Sequence, residues 1–108
     1  MEFYTKIVGV TFEGRQRLIA KLARTGKLQP GTPLEFIADP NNQYDRYAVK
    51  VMTVDGEQLG YIAKKDGLNK TISENLQRGM AYHATVSSVS EAASDDMNIG
   101  VNIKVRCN

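Results

Sequence analysis

Apolar and polar residues alternate with a period of two along much of this chain, the pattern of strands that bury one face. The clearest case is the run 98–106, where Ile99, Val101, Ile103 and Val105 share one side and Gly100, Asn102, Lys104 and Arg106 the other. Residues 82–89 read as the strand before it, joined through the polar, mobile-looking stretch 90–97. Three shorter runs, 34–38, 48–54 and 58–62, are filled with β-branched and aromatic residues and separated by turn formers, which predicts a meander. Between the last two stands Val54-Asp55-Gly56-Glu57. Asp-Gly between apolar runs marks a hairpin, because glycine accepts the positive φ of a tight turn. Residues 3–12 form the remaining strand, interrupted at Gly9, where a bulge or barrel bend is expected.

Twice the period lengthens to that of a helix. Over 15–24, Leu18, Ile19 and Leu22 fall on one stripe and Arg17, Lys21 and Arg24 on another, and Gly26 closes the segment as a C-cap. Over 68–78, Leu68, Ile72 and Leu76 recur every fourth residue and Gly79 ends the run. The order is βα, βββ, α, ββ, a mainly β chain with two helices. Six short strands are more than a flat sheet of this size can cover. A small six-stranded barrel, OB-like or SH3-like, with the helices plugging its ends or side, is the economical arrangement. At 108 residues the chain is expected to be a single domain, 1–108.

Composition narrows the function classes. Charged residues at 24% and hydrophobic ones at 42% are ordinary for a globular domain. One cysteine, Cys107, and one histidine, His83, leave no internal disulfide and no intrachain zinc set. No metal or cofactor is therefore expected, and a reducing, cytoplasmic setting fits. No apolar run approaches the roughly 18 residues of a membrane span, and Met1-Glu2-Phe3-Tyr4 lacks the basic-then-apolar order of a signal peptide. Charge is unevenly spread: the first 30 residues carry six basic groups against two acidic ones, the remaining 78 carry eight against ten. That asymmetry suits a polyanion partner, or equally a solvated helix face.

Catalytic constellations are missing. The stretch 26–33 lacks the lysine and hydroxyl of a phosphate-binding loop. His83 stands in a strand without a serine nucleophile elbow, and Cys107 lies at a fraying end, an inert thiol. Asp39 and Asp45 read as carboxylates that hold a turn. An enzyme is not expected.

The loop 39–45, Asp-Pro-Asn-Asn-Gln-Tyr-Asp, is the candidate site, because a loop held by two strands of one sheet is rigidly placed while its side chains stay reachable. Around it lie the ingredients of a surface for a single-stranded nucleic acid. Tyr44, Tyr61 and Phe12 can stack on bases, Lys64, Lys65 and Arg17 can neutralise phosphates, and Asn42 and Asp45 add hydrogen-bonding groups. A carboxylate repels phosphate, so Asp45 fits such a site only against a sugar hydroxyl or a base edge, which points to a strand end. The competing reading makes these tyrosines half-buried barrel residues. Tyr47 goes with the core or with an uninvolved surface ring.

The run Pro40-Asn41-Asn42-Gln43-Tyr44-Asp45, then Ala48-Val49-Lys50-Val51, then Asp55-Gly56 and Gly60-Tyr61-Ile62, resembles the signature of the HIRAN domain, and Val8-Gly9-Val10 is similar to that family's first strand. The resemblance is strong over 34–64 and looser elsewhere. It implies a small OB-like barrel and, by analogy with fork-remodelling translocases of eukaryotes, capture of the free 3′ end of single-stranded DNA in repair or replication. The family also occurs as stand-alone bacterial and phage proteins, the type this chain resembles, without the helicase or nuclease domains fused to other members. By the same resemblance Tyr44 is the ring that stacks on the terminal base, and Asp45 the carboxylate that takes the 3′-hydroxyl. Asn42 is the polar residue of the loop, Tyr61 stands at a position often held by histidine, Lys64 is a phosphate contact, and Phe12 is a first-strand aromatic. Thr11 replaces an arginine of the DNA-binding eukaryotic members, and Glu13 a second aromatic. Basic residues of the first helix can compensate. The alternative is a protein-interaction or regulatory module that uses the same loop on a partner in a repair or phage complex.

Overall fold

In the computed structural model, which describes residues 2–11, 14–90 and 99–107, six strands close on themselves. In chain order they are β1 (Glu2–Val8), β2 (Pro33–Ala38), β3 (Val49–Thr53), β4 (Gln58–Ile62), β5 (Tyr82–Val89) and β6 (Val101–Cys107), with helices α1 (Arg15–Arg24) and α2 (Leu68–Gln77). Around the barrel the order is β1-β4-β3-β2-β5-β6, every pairing antiparallel. Closure satisfies the backbone of strands too short to hold a flat sheet and leaves no edge to pair with another chain.

The period-two faces meet in the middle. Ile7, Leu34, Val49, Val51, Leu59, Ile62, Val86, Val101, Ile103 and Val105 are buried together. Where β1 meets β4 the strands come so close that only glycine fits at position 60. A β-carbon there would collide with the Val8 carbonyl oxygen and the Ile7 side chain. The hairpin at Asp55-Gly56 forms as expected, Gly56 taking a φ of 90° while its N–H donates to the Thr53 carbonyl.

Both helices end in the same way. At α1 the Lys27 N–H donates to the Leu22 carbonyl and the Gly26 N–H to Ala23; at α2 the Met80 N–H donates to Asn75 and the Gly79 N–H to Leu76. These are paired C-terminal caps that need a left-handed residue, which Gly26 and Gly79 supply. Arg17, Lys21 and Arg24 form the exposed basic stripe of α1.

Several boundaries and faces differ from the expectation. The first strand stops at Val8 rather than running to Phe12, because Gly9 adopts a φ of 72° and the chain turns through Val10 and Thr11. The last strand begins at Val101, not 98, and Gly100 is buried, its N–H given to the Ser90 Oγ. Cys107 is not frayed: it closes β6 opposite Tyr82. The buried stripe of α1 is Arg15, Ile19 and Leu22, and that of α2 is Asn69, Ile72 and Ser73, so each helix turns polar residues inward. Most of the polar stretch 90–97 lies outside the described residues. No helix among the described residues is long and apolar enough to cross a membrane.

Candidate functional site

The loop between β2 and β3 is built from its own side chains. Its neck is closed by the Asp39 N–H donating to the Ala48 carbonyl, and the Asn42 N–H donates to the Asp39 carbonyl across Pro40-Asn41. Proline in the second position presets the φ such a turn uses. Asn42 then organises the second half of the loop. Its Oδ1 accepts the N–H of Tyr44 at 2.9 Å and of Asp45 at 3.1 Å, and its Nδ2 donates to Asp39 Oδ2 at 3.1 Å. Both acceptor positions of the amide oxygen are thereby occupied, so Asn42 shapes the loop rather than presenting its oxygen to a ligand.

The consequence is a rigid backbone under an exposed ring. Tyr44 is 86% exposed, more than any other large apolar side chain among the described residues. Beside it the Asp45 side chain retains 17% exposure and is held from three directions. Its Oδ1 accepts the Tyr47 N–H at 2.9 Å, its Oδ2 accepts the Asn69 Nδ2–H at 2.9 Å, and the Lys64 ammonium stands 3.5 Å from Oδ2. A carboxylate offers about four acceptor positions, so Asp45 is oriented yet can still accept a further hydroxyl.

Two connectors complete the surroundings. Lys64, with 73% of its side chain exposed, follows β4, and exposed Lys65 opens the 3-10 turn Lys65–Gly67 that leads into α2. Tyr61 lies on β4, half-buried, with Val8 and Lys50 as its cross-strand neighbours. The Arg15 guanidinium sits 5.2 Å from its ring centre, and Arg15 Nη1 donates to the Gly9 carbonyl at 2.8 Å.

The structure thus brings Asn42, Tyr44, Asp45 and Lys64 together. It does not bring Tyr44 and Tyr61 into ring contact; the Tyr61 ring lies against Arg15. Arg17 is two residues from Arg15 on α1 and so lies on another side of the helix, among the exposed basic residues. Phe12 lies outside the described residues, as does Glu13. Tyr47 is a half-buried ring beside two cations, Arg46 at 4.9 Å and Lys70 at 5.4 Å from its centre. Asn69 and Arg15 are buried polar residues that touch candidate site residues, Asp45 and Tyr61, and that hydrophobic periodicity passed over. Their spacing from Ile72 and from Ile19 and Leu22 was the available signal. Among the described residues no group of three or more His, Cys, Asp and Glu side chains could hold a metal ion.

The HIRAN domain family model matches residues 1–107. Among solved structures, the HIRAN domain of human HLTF superposes with a TM-score of 0.64 at 20% identity, over 96% of this chain and 74% of that one. A protein from Lactobacillus plantarum superposes with a TM-score of 0.59 at 19% identity, over 97% of both chains. At these identities the likeness speaks to the barrel, not to a ligand. No curated protein matches in sequence.

Proposed function

Because the chain belongs to the HIRAN domain family, we propose that it is a DNA-binding module that captures the free 3′ end of single-stranded DNA on the Asn42–Lys64 surface. The observation that supports this most is the pairing of a pre-oriented carboxylate with an exposed ring fixed by the same short loop. Asp45 accepts the terminal hydroxyl with its remaining acceptor capacity, while Tyr44 stacks on the last base. Base–aromatic stacking of this kind contributes on the order of 1–3 kcal/mol. Lys64 serves twice, since it neighbours Asp45 and, being largely exposed, also meets the adjacent phosphate with Lys65 beside it. Tyr61, backed by Arg15, forms the barrel wall below. The role is binding, with no chemical step assigned to the domain.

A carboxylate at the terminus makes the reading selective in a way that a merely basic surface is not. A terminal phosphate would place two anions together, so the same oligonucleotide ending in a 3′-phosphate should bind more weakly by about tenfold or more. Fluorescence anisotropy with strands whose 3′ ends are free, phosphorylated or hidden in a hairpin tests this. Preference for the free end supports the proposal. Equal affinity for all three would overturn end capture, and absence of binding to any would leave the loop to a protein partner.

A further inference from the structure

The loop has a second side. Arg46 and Tyr47 follow Asp45 directly, and together with Glu74, Gln77 and Arg78 of α2 and its cap they line an open groove of about 430 Å³. Lys70 lies one turn before Glu74 on the same face of α2, and so flanks the groove that Glu74 and Gln77 line. Both Arg46 and Lys70 stand over the Tyr47 ring, at 4.9 and 5.4 Å from its centre. Two like charges are therefore held no more than about 10 Å apart. None of Arg46, Lys70 and Arg78 has an ion-pair partner among the described residues. Two cations over one ring and a third, Arg78, lining the same groove with the one carboxylate of that lining, Glu74, form a surface whose repulsion an anion would relieve.

We infer that this groove is a second subsite for the same strand and takes the nucleotides 5′ of the captured terminus; the inference rests on the end-capture reading above. Tyr44 and Tyr47 are three residues apart, which limits their α-carbons to a separation of about 11 Å. A strand leaving Tyr44 therefore reaches the groove with about its third nucleotide. Arg46, Lys70 and Arg78 meet its phosphates. Glu74, which repels phosphate, and Gln77 face the edges of bases, to which carboxylate and amide side chains hydrogen-bond. The Tyr47 ring holds two of the cations in place.

The test compares a dinucleotide with a dodecanucleotide, both ending in a free 3′-hydroxyl, on the wild type and on the double variant Arg46→Ala/Arg78→Ala. Each phosphate contact on a single strand contributes about 0.7 to the slope of log affinity against log salt. The double variant should lower the slope for the dodecanucleotide by about 1.4 and its affinity by about tenfold, leaving dinucleotide binding unchanged. Arg46→Lys/Arg78→Lys should restore most of the loss. Wild-type affinity of the double variant for the long strand would overturn the subsite, and so would equal losses on both strands or equal wild-type affinity for both. Failure of end capture is seen separately, as a wild type that ignores a 3′-phosphate on the dinucleotide, whatever the double variant does.

Discussion

Removing the Asn69 amide isolates the contact that aims the Asp45 carboxylate. Asn69 is 6% exposed and donates Nδ2 to Asp45 Oδ2 at 2.9 Å. A hydrogen bond to an ionised group is worth about 1.5–3 kcal/mol net. The Asp45 side chain keeps 17% exposure, so water repairs part of the loss and the lower end of that range applies. Alanine is also the better helix former, by up to about 0.7 kcal/mol. Asn69→Ala should therefore destabilise the domain by about 1–1.5 kcal/mol net. For a domain of this size that lowers Tm by roughly 4–12 °C. Because the Tyr47 N–H still holds Oδ1, the carboxylate is loosened rather than freed. Affinity for a free 3′ end should fall about threefold to tenfold, with no change for a 3′-phosphate strand. Thermal melting by circular dichroism and anisotropy well below the melting range measure both. A variant that melts and binds as the wild type does would refute the claim that α2 positions Asp45. A variant that melts earlier but binds normally would refute the claim that this positioning matters.

Three further outcomes test other contacts. Tyr44→Ala removes an exposed ring, so Tm should stay within a few degrees while affinity falls by about 5- to 150-fold; a large drop in Tm would show that the ring packs. Gly60→Ala drives a β-carbon into the Val8 carbonyl and Ile7 and should cost about 3 kcal/mol or more at the β1–β4 join, read as a lowered denaturant midpoint. Burial raises the Tyr82 phenol above its usual pKa, against the lowering effect of the Asn75 hydrogen bond and with Cys107 adding to the rise. The folded state thus holds this proton more tightly than the unfolded chain, and the stability it contributes is present below about pH 10 and lost as pH rises through the folded value. An absorbance titration should show a late tyrosinate step that disappears in Tyr82→Phe.

The barrel was legible because its alternation is plain. In β6, Val101, Ile103 and Val105 point inward between polar neighbours, and no other element could bury that face. The loop was legible too, since Asp-Pro-Asn-Asn between strands predicts a side-chain-built turn, and Asn42 builds it. Polar residues that point inward were not. Hydrophobic periodicity assigns an arginine or asparagine to the solvent face, but Arg15 is buried against the Gly9 carbonyl and Tyr61, and Asn69 against Asp45. Each is tolerated inside because a specific partner satisfies it; spacing from the buried apolar residues marks the position but does not name the partner. Tyr61 shows the same limit: its half-buried ring lies against an arginine from another element, a neighbour that the strand pattern does not announce.

The most direct measurement is an NMR titration with a trinucleotide, following the backbone amides of Tyr44, Asp45 and Tyr47 and the side-chain amide of Asn69. The first two donate to Asn42, and the last two donate to the Asp45 carboxylate itself, so they report on the atoms proposed to hold the strand end. A free 3′-hydroxyl should shift these four signals first and most, and a 3′-phosphate should leave them near their starting positions. Signals that stay still while the outer face around Tyr4 and His83 moves, or that respond alike to both ends, would contradict capture of the strand end at Asp45.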